Sequence, residues 1–140
     1  RHVDPVTLKI ALRTRPLDRF MLVTDAMPTV GMMNKRFNLQ GREIVVRDGV
    51  CVDETGTLAG SDLDMAAAVR NAISMLGLTL EDAIMMASAA PAALLGLGRQ
   101  RGAIAPGFAA DFCRLDDALN VTSTWIDGEE THARQEALLV

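Results

Sequence analysis

Apolar residues change their spacing several times along this chain, and each change predicts a different element. Near the start, Asp4-Pro5 reads as a helix entry, with Asp4 as N-cap and Pro5 at the first helical position. The predicted helix covers 5–14 and is ended by Pro16. The next stretch, "LDRFMLV", is a short continuous apolar run, the pattern of a strand buried on both faces as in parallel sheets. It runs straight into Thr24-Asp25, and a turn-rich segment over 28–34 follows. "FNLQGREIVVRDGVCVD" predicts β structure folded back at a two-residue Asp48-Gly49 turn. Because Val45 lies between Ile44 and Val46, this hairpin is expected to be covered on both sides.

"TGTLAGSD" reads as a second Gly-rich loop. It leads into a strong predicted helix over 63–76, capped by Ser61 or Asp62 and stopped by Gly77. Met65, Val69, Ile73 and Leu76 fall on one stripe of that helix, which makes them its expected core face. Thr79 with Asp82 three residues on starts another helix through Ala87, and "AAPAALLGLG" predicts a short one with Pro91 in its first turn. After Gly98 the texture changes. "GAIAPGFAADFCRLD" and "VTSTWIDGEE" read as short strands around Pro-Gly and Asp-Gly turns, and the tail 132–140 predicts no definite element. The order of helix, parallel-type strand, excursion, two helices and small β units predicts an α/β fold. It fits the C-terminal portion of a (β/α)8 TIM-type barrel over 1–100, with a β-hairpin excursion near 37–53, followed by part of a small β-sandwich over 101–140.

Composition narrows the function classes. The chain has 140 residues, the length of one ordinary domain, yet it is 49% hydrophobic with a mean hydropathy of +0.19. No apolar run reaches the roughly eighteen residues of a membrane span, so a membrane is not an expected partner. A net charge of −4 excludes a broadly basic nucleic-acid face. Cys51 and Cys113 stand in no metal-like spacing, which fits a reduced, cytoplasmic setting. The opening "RHVDPVTLKI" starts inside regular structure without Met, and the expectation is a piece of a larger protein.

Asp25 is the first candidate for chemistry. A carboxylate at the end of a barrel strand sits on the face where loops converge on a pocket. It can equally cap the turn before Pro28, using its side chain to bind nearby backbone N–H groups. His2 precedes a helix and could stand on a loop above a strand, or it is simply an exposed terminal histidine. Gly60, before a helix start, could present backbone N–H groups to an anion or a sugar hydroxyl, or merely turn the chain. His132 lies in a polar tail and receives no role. The sequence contains no His-x-His pair, CxxC, Walker loop or GxGxxG after a strand. A metal or nucleotide site would therefore need residues outside this chain.

The segments "HVDPVTLKIAL", "RFMLVTDAM", "VVRDGVCVDETGTLAGSDLDMAAAVRNAI" and "ASAAPAALLGL" together resemble the C-terminal part of the N-acetylglucosamine-6-phosphate deacetylase family, in the amidohydrolase superfamily. "GAIAPGFAADFCRLD" is similar to the closing β segment shared more widely in that superfamily. The resemblance implies a metal-dependent hydrolase on a (β/α)8 barrel with a small β-sandwich. It would remove the acetyl group of N-acetylglucosamine 6-phosphate. It implies that Asp25 acts as general base towards a metal-bound water and then as general acid to the leaving amine, with a metal contact from the same carboxylate left open. It also implies that His2 contacts substrate and that Leu58, Ala59 and Gly60 line the sugar pocket. A divalent ion such as zinc is implied as cofactor, with its main ligands, a Glu and two His, upstream of this segment, and a homodimer as the assembly. Two other readings stand beside it: an amidohydrolase of the dihydroorotase or hydantoinase type, and a non-catalytic truncated remnant.

Overall fold

The computed structural model describes residues 3–133. It is an α/β structure whose two sheets are both antiparallel meanders, one with the strand order β1-β2-β3-β4 and one with the order β5-β6-β7. The chain forms two compact units, residues 22–68 and residues 1–21 with 69–140.

The first unit is built on β1 (Arg36–Leu39), β2 (Arg42–Arg47), β3 (Val50–Val52) and β4 (Leu58–Ser61). The Asp48-Gly49 hairpin forms as the sequence predicts, with Arg47 paired to Val50 and both turn residues at positive φ, 51° and 78°. That is the twist a two-residue loop must have to continue the right-handed twist of its strands. Gln40-Gly41 makes a second turn of the same kind, at φ 51° and 81°, with Leu39 paired to Arg42. The cover on this sheet is uneven: Ile44 and Cys51 are fully buried, whereas Val45 and Val46 are half-buried.

β4 corrects the expectation of a Gly-rich loop at "TLAGS". Leu58 pairs with Val52, Gly60 with Cys51 and Ser61 with Val50, and the register shift leaves Ala59 as a bulge. Glycine and serine are poor strand formers alone, and here the ladder offered by β3 overrides local preference. The helix start also moves. α2 is Met65–Leu76, and Asp64, neither Ser61 nor Asp62, caps it by accepting from Ala67 N at 2.7 Å. Ser61 and Asp62 are occupied elsewhere, as described below.

In the second unit α1 is Pro5–Leu12, with Asp4 Oδ1 accepting from Val6 N at 2.8 Å and Pro5 in the first turn, as the sequence predicts. α2, whose residues from Val69 on belong to this unit, is stopped by Gly77, whose N–H reaches the Ile73 carbonyl at 3.0 Å. Of the predicted stripe only Val69 is buried, beside Ala68 and Ala72, while Met65 is 38% exposed and Ile73 and Leu76 are half-buried. Small side chains win the closest-packed positions, and the larger ones flank them. α3 (Leu80–Ala87) has Thr79 as its cap, accepting from Asp82 N at 3.1 Å, and α4 is Ala89–Leu94 with Pro91 near its start. The second sheet is β5 (Phe112–Leu115), β6 (Val121–Ile126) and β7 (Glu129–Ala133), with Asp127-Gly128 turning β6 into β7. Phe112 and Trp125 stack across it at 4.8 Å.

The run "LDRFMLV" is not a strand among the described residues. Leu17–Arg19 is a 3-10 turn packed on α3 and α4, and residues 20–24 belong to no helix or strand and have no ladder partner among the described residues. A run apolar on both faces becomes a central strand only where neighbours supply hydrogen bonds, and here Val23 is 77% exposed. No helix of the described residues is long and apolar enough to cross a membrane.

Core and cap should separate cleanly in unfolding experiments. Ile44→Ala, which empties a site only 2% exposed, should cost about 2–5 kcal/mol. Thr79→Ala, which removes one cap acceptor, should cost about 1 kcal/mol. Urea midpoints of the two variants check the order.

Candidate active site

The two stretches singled out for chemistry, around Asp25 and around Gly60, meet inside residues 22–68. A parallel bridge joins Ala26 to Ser61. Ser61 N donates to the Asp25 carbonyl at 2.9 Å, and Met27 N donates to the Ser61 carbonyl at 2.9 Å. The Ser61 hydroxyl donates to the Thr24 carbonyl. One serine thus holds residues 24, 25 and 27 to the end of β4.

Asp25 itself has φ of +52°. Aspartate tolerates this left-handed conformation better than most side chains, but it still requires surroundings that impose it. Here both flanking peptides are fixed by Ser61. The Asp25 side chain is exposed and makes no hydrogen bond to another described residue. It therefore does not act as the turn cap that local sequence allowed; backbone bonds such as Val30 N to the Met27 carbonyl, 3.1 Å, close that turn instead.

Gly60 is buried, with φ of +121°. A Cβ there would fall 2.5 Å from Met27 Cγ, 2.8 Å from Met27 Sδ and 3.1 Å from the Asp25 carbonyl oxygen. Only glycine lets β4 approach the Asp25 segment this closely. The bulge at Ala59 leaves Leu58 exposed and Ala59 half-buried beside it. His2 lies outside the described residues.

Two further carboxylates have structural work. Asp53 Oδ1 accepts from Thr55 N at 2.9 Å, Thr55 Oγ1 at 2.6 Å and Thr57 N at 2.9 Å, while Arg42 Nη1 stands 3.3 Å from Oδ2. These bonds, that of the Thr55 hydroxyl foremost, hold its carboxyl below the ordinary 3.8. Asp62 Oδ2 lies 2.7 Å from Lys35 Nζ. Burial alone would push the Asp62 carboxyl up, but the Lys35 ammonium and the Thr29 hydroxyl together bring it below its ordinary value. Asp62 Oδ1 has no partner within hydrogen-bond geometry, and Thr29 Oγ1 lies 3.7 Å from Cys51 Sγ. The hydroxyl rotor can swing between sulfur and carboxylate, and the charged oxygen is the stronger acceptor. Sequence reading placed Asp62 as a helix cap and missed Lys35 and Thr29 altogether. Only the fold brings 29, 35 and 62 together, so no local signal marks them.

Among the described residues no three His, Cys, Asp or Glu side chains stand close enough to hold a metal ion. Cys51 and Cys113 are both free thiols. At this place the described residues offer the Asp25 carboxylate, without a hydrogen bond to another described residue, beside a glycine-containing strand end.

The model of the amidohydrolase family matches residues 14–131. The chain is 42% identical over 130 residues to the N-acetylglucosamine-6-phosphate deacetylase of Homo sapiens, covering 91% of this chain and 31% of that one. It is 39% identical over 128 residues to the N-acetylgalactosamine-6-phosphate deacetylase of Escherichia coli O157:H7, covering 91% and 34%. Its structure is similar to that of a variant of the Mycobacterium smegmatis N-acetyl-D-glucosamine-6-phosphate deacetylase in complex with N-acetyl-D-glucosamine-6-phosphate. The TM-score is 0.81 and the identity 34%, over 92% of this chain and 35% of that one. The chain thus spans about a third of the length of each of these relatives.

Two outcomes follow from this geometry. Gly60→Ala should destabilise the unit by about 1–3 kcal/mol through strain and overlap with Met27, and amide exchange should show Ser61 and Met27 losing protection first. Acid should act through Asp53 and Asp62. Both native carboxyls sit below their unfolded value, so their contribution is complete above 3.8 and is lost as pH falls through the native values. Stability measured in urea between about pH 3 and 7 should fall on the acid side, and Asp53→Asn should flatten that slope.

Proposed function

The chain belongs to the amidohydrolase family, and from that membership we propose that its parent protein hydrolyses the N-acetyl group of N-acetylglucosamine 6-phosphate. Water adds across the amide: its oxygen goes to the acetyl carbon, giving acetate, and a proton goes to nitrogen, giving glucosamine 6-phosphate. The observation that carries this reading is the bridge between Ala26 and Ser61, which brings the free Asp25 carboxylate beside the Leu58–Ser61 strand.

In this reading Asp25 takes a proton from the attacking water and hands it to the departing amine. One carboxylate can do both because it is left protonated after the first step, as the nitrogen needs a proton in the second. Leu58, Ala59 and Gly60 line the sugar pocket, and His2 contacts substrate. The amidohydrolase family implies a divalent metal, and zinc is the ion in this reading. The described residues do not fit a metal site of their own, so in this reading its main ligands come from outside them, with a contact from Asp25 left open, and no step is drawn through the ion here.

The same reading makes residues 20–24 a strand of a (β/α)8 barrel, with ladder partners from outside this chain. The sheet β5-β6-β7 is then part of a small β-sandwich. The parent protein is a cytoplasmic homodimer acting on an amino-sugar phosphate, with neither nucleic acid nor membrane as partner.

A second substrate has support from the relatives, which carry both N-acetylglucosamine and N-acetylgalactosamine names at similar identity. The two sugars differ only in one hydroxyl's orientation, so the ratio of kcat/KM for the two 6-phosphates decides between them. For the proton shuttle, Asp25→Asn in the whole protein should lower kcat by about 10²–10⁴-fold while substrate still binds. Turnover near the wild-type rate would move the shuttle to another group.

A further inference from the structure

Lys35 stands between the two segments joined at the Ala26–Ser61 bridge. Its carbonyl accepts from Val46 N at 3.0 Å, which anchors the residue to β2. From there its ammonium reaches two groups: Asp62 Oδ2 at 2.7 Å and the Thr29 carbonyl at 2.9 Å. Thr29, 1% exposed, lies in the turn just after the Asp25 segment, and Asp62 directly follows Ser61. One cation therefore ties together the downstream ends of both bridged segments.

We propose that the Lys35–Asp62 pair is the positioning device for Asp25, setting the distance between its backbone and the Leu58–Ser61 strand. The inference rests on the deacetylase reading for its effect on turnover, but not for its effect on the backbone. Neither residue touches Asp25; both act through the peptides on either side of the bridge. Exposed ion pairs usually contribute little. This one differs because the Asp62 side chain is only 13% exposed, and its other oxygen has no hydrogen bond of good geometry. Without the ammonium, a mostly buried carboxylate would be left with no opposite charge and only the Thr29 hydroxyl beside it. Its relief is to swing towards water, and residue 62 cannot do that without pulling on Ser61. The bond to the Thr29 carbonyl disappears at the same time, so the turn after Asp25 is released as well. Three donors on one ammonium allow both bonds together.

The test uses the whole protein. In Lys35→Met, the amides of Ser61 and Met27 should exchange about ten-fold faster or more, while those of Ile44 and Val45 in β2 keep their rates. With N-acetylglucosamine 6-phosphate, kcat should fall by about ten-fold or more and KM should change much less, because a misplaced shuttle loses transition-state contacts first. Lys35→Arg should recover most of both losses. If Lys35→Met does not fold, Lys35→Met/Asp62→Leu removes the buried charge with its partner; it should fold yet keep the fast exchange at Ser61 and Met27. Unchanged exchange at those two amides overturns the proposal, as does loosening spread evenly over residues 22–68. Fast exchange with wild-type kcat also overturns it. If the unsubstituted protein does not turn this sugar phosphate over, the deacetylase reading fails, and the exchange rates alone decide the clamp.

Discussion

Ser61 is the residue on which the candidate site depends. Its N–H, carbonyl and hydroxyl all bond to the segment around Asp25, with the two backbone bonds at 2.9 Å each. Each such bond contributes only about 0.5–1.5 kcal/mol net, and the three together close a loop of more than thirty residues. Their importance lies in geometry more than in energy. Residues 20–24 have no ladder partner among the described residues, and this contact at residues 24–27 is what ties the Asp25 segment to β4. A serine suits the position because its short hydroxyl reaches the Thr24 carbonyl.

That contact also explains two departures from ordinary backbone preference. Asp25 at φ +52° and Gly60 at φ +121° face one another across the bridge. The aspartate would be unfavourable alone, whereas glycine carries no Cβ penalty at positive φ. Placed together, the glycine removes the Cβ that would strike Met27, and the hydrogen bonds to Ser61 hold aspartate in a conformation it tolerates better than most. The bulge at Ala59 belongs to the same arrangement, since it shifts β4 by one residue against β3 just before the close approach.

How much of this was readable beforehand depended on how local each signal was. Asp4-Pro5, Thr79 with Asp82, and Asp48-Gly49 each carry their reason within four residues, and each appears where the sequence places it. Gln40-Gly41 makes the same turn as Asp48-Gly49, but glutamine carries no turn preference, and only the pairing of β1 with β2 reveals it. "TLAGS" looked like a loop because its strand character comes from β3. "LDRFMLV" looked like a strand because apolar runs do not state whether neighbours exist. The same limit applied to the site. Asp25 stood out through its place in "LVTDAM" and through the family resemblance, whereas Ser61, Lys35 and Thr29 act across distances in sequence that no short motif spans.

Three carboxylates of residues 22–68 show how environment divides labour among identical groups. Asp53 spends its oxygens on two backbone N–H groups, a hydroxyl and Arg42, which makes it a fixed structural anion. Asp62 is largely buried and committed to Lys35. The Asp25 side chain is exposed and has no hydrogen bond to another described residue, while its carbonyl is held by Ser61 N and its φ is +52°. A group that must take up and release a proton within one reaction cannot also be bound by several donors, because each of them would favour the ionised form and weaken it as a base. An uncommitted carboxylate, with the peptides on both sides of it held, is the combination that the proposed proton shuttle needs. Of the three, only Asp25 has it.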